Sequence, residues 1–80
     1  MSRVSEEEIA WSYEVLTQLR DGLNKVAENP QLAEKFMKEF FEKLPDILDA
    51  FMYLVKEEHV GVVRDVVSAA IRVCRKIGMG

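Results

Sequence analysis

His59 is the only histidine of the chain, and imidazole is the side chain best suited to bind metals or move protons near neutral pH. Glu57 and Glu58 precede it in the sequence. The three side chains would together supply half of the ligands of a metal site if they pointed the same way. Adjacent residues of a helix or turn point in different directions, and no His-x-x-x-His or Glu-x-x-His pair exists. We therefore interpret His59 as an exposed turn residue or a residue at a helix start. An intersubunit metal site or a haem ligand is the alternative.

Four carboxylates are spaced so that they would share one face of a continuous helix: Glu39, Glu42, Asp46 and Asp49. Paired carboxylates do acid–base chemistry only where burial or mutual repulsion shifts a pKa. Lysines interleave with them, which favours an ordinary solvated face.

Cys74 is the only cysteine, so one chain forms no internal disulfide and no multi-cysteine metal site. It falls in an apolar helical row, where cysteine usually acts as a small hydrophobe. The sequence also has no glycine-rich phosphate loop and no Ser/His/Asp arrangement. We predict a protein without catalytic residues, cofactor or metal.

Composition places the chain among small globular proteins. Its 80 residues are 49% hydrophobic and 31% charged, with a net charge of -3, which predicts a single domain over residues 1–80. No apolar run approaches the roughly 20 residues that span a bilayer, and the N-terminus lacks the apolar segment of a secretory signal. We expect a cytoplasmic protein. A core this small is marginal by itself, which favours association with another chain.

Helix signals predict an all-α bundle of three to four helices, at about 6–28, 30–44, 45–57 and 60–77. Ser5 and Glu8 form a capping box, and Asn29-Pro30 ends one helix and starts the next. Pro45 predicts a break or a sharp kink, the alternative being one kinked helix for the second and third segments. The polar segment from Lys56 to Gly61 is the candidate turn before the last helix, and Gly61 can adopt unusual backbone angles there.

The last predicted helix carries two apolar rows where one seam is usual. The first row is Val60, Val63, Val67, Ala70, Cys74 and Ile77; the second, headed by His59, is Val62, Val66, Ala69 and Val73. Such a helix is either central in the bundle or shared with another chain. On the first helix Trp11 points away from the main apolar row of that helix, with Val4 and Val15 beside it. It either packs under a tail or loop, or contacts a second chain. We predict an interface formed by Trp11, Val15, Val62, Val66, Ala69 and Val73.

Charge is distributed unevenly along the chain. Residues 59–80 contain four basic residues and one acidic residue, whereas residues 30–58 contain four basic and seven acidic residues. The last helix should therefore pack against an acidic surface, in the same chain or in another. Four basic residues on an otherwise acidic chain do not make a nucleic-acid footprint, so nucleic acid is not an expected partner.

The layout resembles a family of small helical proteins encoded beside formate-dehydrogenase-like and heterodisulfide-reductase-like enzymes in archaea and bacteria. The features that carry the resemblance are Asn29-Pro30, the internal Leu44-Pro45, and a valine-rich last helix that ends near Arg75 and Gly78. The resemblance implies an accessory subunit docked on a redox enzyme, with no catalytic residues of its own.

We predict a non-catalytic interaction or accessory protein that forms a homo-oligomer or docks on a larger enzyme through an apolar helical face. One alternative is a small-molecule or cofactor binder, with His59 as a ligand and a pocket lined by Phe36, Met37, Phe40, Phe51 and Met52. A second alternative is a small DNA-binding regulator.

Overall fold

A computed structural model describes residues 4–78, which form four α-helices and no strand. α1 spans Glu6–Glu28, α2 spans Ala33–Glu42, α3 spans Leu44–Lys56 and α4 spans Gly61–Lys76. A 3-10 turn, Pro30–Leu32, leads from α1 into α2. The predicted all-α class and the four helical segments are confirmed for this part of the chain.

The start of α1 is the predicted capping box. The Ser5 hydroxyl accepts a hydrogen bond from the Glu8 backbone N–H at 3.1 Å, and the Ser5 N–H donates to Glu8 Oε1 at 3.0 Å. Both bonds satisfy backbone or side-chain groups that the first helical turn leaves free. One turn later the Ser12 hydroxyl is fully buried and donates to the Glu8 carbonyl at 2.7 Å, so burial leaves no polar atom unpaired.

Pro45 breaks the helix rather than kinking it. α2 ends at Glu42, Lys43 leaves the helical conformation at φ -101° and ψ 6°, and Pro45 lies in the first turn of α3. Proline is tolerated there because the first N–H groups of a helix have no partner within it. The break also splits the acidic stripe, with Glu39 and Glu42 on α2 and Asp46 and Asp49 on α3.

α1 is the helix on which the others pack. α3 and α4 both lie along it but make few contacts with each other, and the described chain extends 44 × 22 × 16 Å. Leu16 of α1 and Leu54 of α3 are fully buried in the main core cluster, and Val62 and Val66 join it from α4. A smaller cluster of Val26, Ala27 and Val73 lies farther along α1.

Leu23 and Phe36 pack against both clusters and link them. The ring of Phe36 lies over Gly22, where a Cβ atom would come within 2.5 Å of its Cε1 atom. Gly22 therefore marks a close approach between α1 and α2, and glycine is the residue whose missing side chain makes room for the ring.

Gly22→Ala should be unfavourable while Phe36 is present and favourable once the ring is smaller. Alanine favours a helix over glycine by about 1 kcal/mol, but crowding against the ring costs about 1–3 kcal/mol. In a Phe36→Leu background the crowding is relieved and the helical gain should appear. Urea unfolding of the four proteins measures the coupling, and additive effects would contradict the close contact.

The turn between α3 and α4 differs from the expectation for Gly61. Gly61 is the first residue of α4, and the left-handed backbone conformation falls on Glu58, with φ 63°. The His59 N–H donates to the Leu54 carbonyl at 2.8 Å and the Glu58 N–H to the Val55 carbonyl at 3.1 Å, which ends α3. The turn therefore falls within the predicted segment from Lys56 to Gly61, but its left-handed residue is Glu58 and not the glycine, because these bonds close the turn three residues before Gly61. Gly78, at φ 78°, follows α4, whose predicted end was about residue 77.

Glu58→Gly should stabilise the protein, because a side chain in the left-handed region costs about 1–2 kcal/mol and glycine adopts it freely. After the entropic cost of glycine in the unfolded chain, we expect a gain of about 1 kcal/mol in the free energy of unfolding. Glu58→Ala is the matched control, since it removes the same charge and keeps the strain. Equal stabilities for the two variants in urea unfolding would contradict the assignment.

Candidate interaction surface

The second apolar row of α4 faces α1 inside the chain. Val62, Val66, Ala69 and Val73 are all buried. The prediction that these four residues form an interface with another chain was therefore wrong, because they already make the α1–α4 contact.

Polar contacts at the edge of that row fix the rotation of α4. Arg20 of α1 lies 3.9 Å from Asp65, measured from Nη1 to Oδ2, and Arg72 Nη1 donates to the Asn24 side-chain oxygen at 3.2 Å. Asp65 and Arg72 lie along one side of the second row. Their contacts with α1 therefore orient that row towards α1. Arg20 and Asn24 lie one turn apart on α1, at a spacing that suits Asp65 and Arg72. This match is the sequence signal that could have shown which row of α4 faces α1.

The first row of α4 is consequently the one that remains open. Val60, Val67 and Ile71 are exposed, and Val63, Ala70 and Cys74 are half-buried. α3 has a similar open row, and α2 adds two more large side chains. We call this surface the open face, and its exposed apolar residues are Met37, Phe41, Leu48, Met52, Val55, Val60, Val67 and Ile71.

A groove runs along the middle of the open face. It has a volume of about 810 Å³, with Leu19 and Leu23 of α1 lining it together with residues of the other three helices. Phe36, Met37 and Phe40 of α2, Phe51 of α3, and Val66, Val67, Ala70, Ile71 and Cys74 of α4 complete the apolar lining. Arg75 is the one charged residue of the lining. The groove exists because α3 and α4 lie along α1 and make few contacts with each other.

The Trp11 side of α1 lies against α3. The indole of Trp11 is 37% exposed, and its ring centroid is 6.2 Å from that of Tyr53 at an interplanar angle of 59°. Val15 is half-buried and packs against the main core cluster. Trp11 thus packs on a helix rather than under a tail or loop, and the part of its ring that stays exposed keeps it a predicted interface residue.

Tyr53 also links this region to the start of α1. Hydrogen bonds from Ser5 hold the pKa of the Glu8 carboxyl below its ordinary value, and the Tyr53 hydroxyl and the charge of Lys56 act in the same direction. The Glu8 charge in turn raises the pKa of the Tyr53 phenol, with burial and Asp49 adding to the effect. Both groups remain in their ordinary ionisation states at neutral pH.

The residues considered for chemistry are not brought together. His59 lies at the α3–α4 turn, shares a 3.3 Å hydrogen bond between its Nδ1 atom and the Tyr13 hydroxyl, and does not line the groove. Cys74 is a free thiol in the groove wall. Over residues 4–78 no group of three or more His, Cys, Asp or Glu residues is placed to hold a metal ion.

No helix within the described residues has the length and apolar character needed to cross a bilayer. Comparison with known proteins finds no matching family model, no matching curated protein and no matching solved structure. The resemblance to proteins encoded beside redox enzymes therefore stays a prediction.

The stability contributed by the Glu8 charge should disappear in acid. Because the folded state lowers the pKa of Glu8, this stability is fully present above the ordinary pKa of 4.5 and is lost as pH falls through the folded value. Glu8→Gln should therefore lower the melting temperature at pH 7, and its difference from the wild type should shrink below pH 4.5. Melting followed by circular dichroism across pH checks this. A difference that stays constant with pH would show that the charge is not responsible.

Proposed function

We propose that this chain is a non-catalytic interaction protein that forms a homodimer through the open face. The observation that carries the proposal is a set of large apolar side chains exposed on three helices around one groove. Monomeric proteins expose single apolar residues routinely, but large contiguous apolar patches usually mark interaction sites.

The exposed area supports a partner of this size. The chain exposes 5805 Å², whereas a folded monomer of its mass is expected to expose about 4,900 Å². The excess of about 900 Å² accompanies the elongated, open packing of the helices along α1, and a standard interface buries roughly 800 Å² on each partner. A second copy supplies a complementary surface of equal extent, because two-fold pairing matches the same face to itself.

Introducing a charge into the open face should abolish the dimer. Met52→Glu and Ile71→Glu each place a carboxylate where the interface would bury it, and we expect dimerisation to weaken by more than about tenfold. The matched control is Ala10→Glu, which adds the same charge at an exposed position of α1 outside the open face. Sedimentation equilibrium at micromolar concentration gives the dissociation constants. Trp11→Ala, measured alongside, reports whether the Trp11 flank extends the interface.

Two results would contradict the proposal. One is a wild-type chain that stays monomeric and fully folded at every accessible concentration. The other is a dimer that Met52→Glu and Ile71→Glu leave unchanged. A chain that pairs only with a larger protein, as the family resemblance implies, would give the first result.

A second candidate function is the binding of an apolar small molecule in the groove. Its supporting observation is the lining, which is apolar except for Arg75. His59 is not part of this candidate site, because it does not line the groove. Native mass spectrometry of the purified protein tests it: a co-purified mass that Ala70→Trp displaces would favour this function over self-association.

A further inference from the structure

We infer that the homodimer is cross-paired: α4 of each copy packs on α2 and α3 of the other copy across a two-fold axis. This inference rests on the proposed self-association and specifies which helices meet. Two features of the open face support it, namely the charges at its edges and the side of the groove on which its most exposed side chains lie.

The edges of the open face carry opposite charges on its two sides. Arg64 and Arg75 lie within one helical turn of Val67 and Ile71 on α4, and both are exposed. Neither arginine has an ion pair or a hydrogen bond among residues 4–78, whereas Arg72 and Asp65 of the same helix contact α1. The arginines are therefore free to meet acidic groups outside the chain.

Acidic groups occupy the corresponding places on the other side of the face. Glu34 lies one turn before Met37 on α2, and Asp49 lies one turn before Met52 on α3, and both carboxylates are exposed. Residues 30–58 as a whole contain seven acidic and four basic residues. A partner's α2 and α3 thus offer α4 an apolar surface with two exposed carboxylates at its edge, although Lys38 and Lys56 also lie one turn from Phe41 and Met52.

Charge also disfavours the alternative in which the two α4 helices pair with each other. α4 has four basic residues and one acidic residue, and that acidic residue, Asp65, is turned towards Arg20 of α1. In an antiparallel α4–α4 pair, Arg64 of each copy would lie opposite Arg75 of the other, so unpaired arginines would face each other at two places. Like charges opposed at an interface disfavour association, so this arrangement is less favourable than cross-pairing.

The most exposed apolar side chains of the open face lie on one side of the groove. Phe41 is 62% exposed and Met52 is 66% exposed, and they stand on the α2 and α3 side of the groove. Phe40, which lines the groove, packs edge-to-face against Phe41 with ring centroids 5.8 Å apart. A two-fold axis that runs along the groove would place these exposed side chains of each copy over the groove and α4 of the other.

Charge reversal on separate chains tests the pairing. One chain carries Arg64→Glu and Arg75→Glu, and the other carries Glu34→Lys and Asp49→Lys. Each variant alone should dimerise at least about tenfold more weakly than the wild type at low salt, because its own edges now repel or lack partners. Mixing equal amounts, with one chain isotopically labelled, should restore dimers that are mainly heterodimers. Native mass spectrometry counts the three species.

The matched control is Lys25→Glu with Lys35→Glu, which gives the same net charge as the arginine variant at exposed positions away from the open face. It should dimerise like the wild type and form no excess of heterodimers. A further measurement needs no variant: the dissociation constant of the wild-type dimer should rise with salt, because screening weakens the arginine–carboxylate pairs.

The outcomes separate this inference from the proposed function. Excess heterodimer together with a salt-weakened wild-type dimer supports cross-pairing. A wild-type dimer that salt does not weaken, or a mixture in statistical proportions, overturns cross-pairing while leaving the dimer in place. A monomeric wild type overturns the proposed function and the cross-pairing with it.

Discussion

Every other helix of this small protein depends on contact with α1. α3 and α4 each turn one apolar row towards α1 and make few contacts with each other, so the large side chains beside those rows have nothing to pack on. Burial of apolar area is the main favourable term in folding. Because α3 and α4 share one helix as their packing partner, part of the apolar area of a single chain stays exposed to solvent. The groove and the open face are direct results of this constraint.

Local signals explain how much of the fold could be read from the residues. The Ser5 capping box, the Asn29-Pro30 helix start, the break at Pro45 and the glycine after α4 each act through one or two backbone hydrogen bonds or one dihedral angle. Such signals do not depend on the rest of the chain. The left-handed residue at Glu58 escaped prediction because the bonds that end α3 select its position, and glycine was available three residues later.

The interaction surface was harder to predict because both rows of α4 repeat with the same helical period. Spacing indicates that two apolar rows exist, but it does not indicate which row faces the chain's own core. That choice is made by the partners of Asp65 and Arg72 on α1, which are long-range contacts. Trp11 shows the same limitation, since its neighbour Tyr53 lies on a helix far away in the sequence.

The arrangement of helices also determines how damage spreads through the molecule. α3 and α4 make few contacts with each other, but both contribute side chains to the main core cluster around α1. A lesion in the middle of α1, at Leu16 for example, therefore weakens the attachment of both helices at once. Because the cluster is shared, we expect the two sides to unfold together as one cooperative unit.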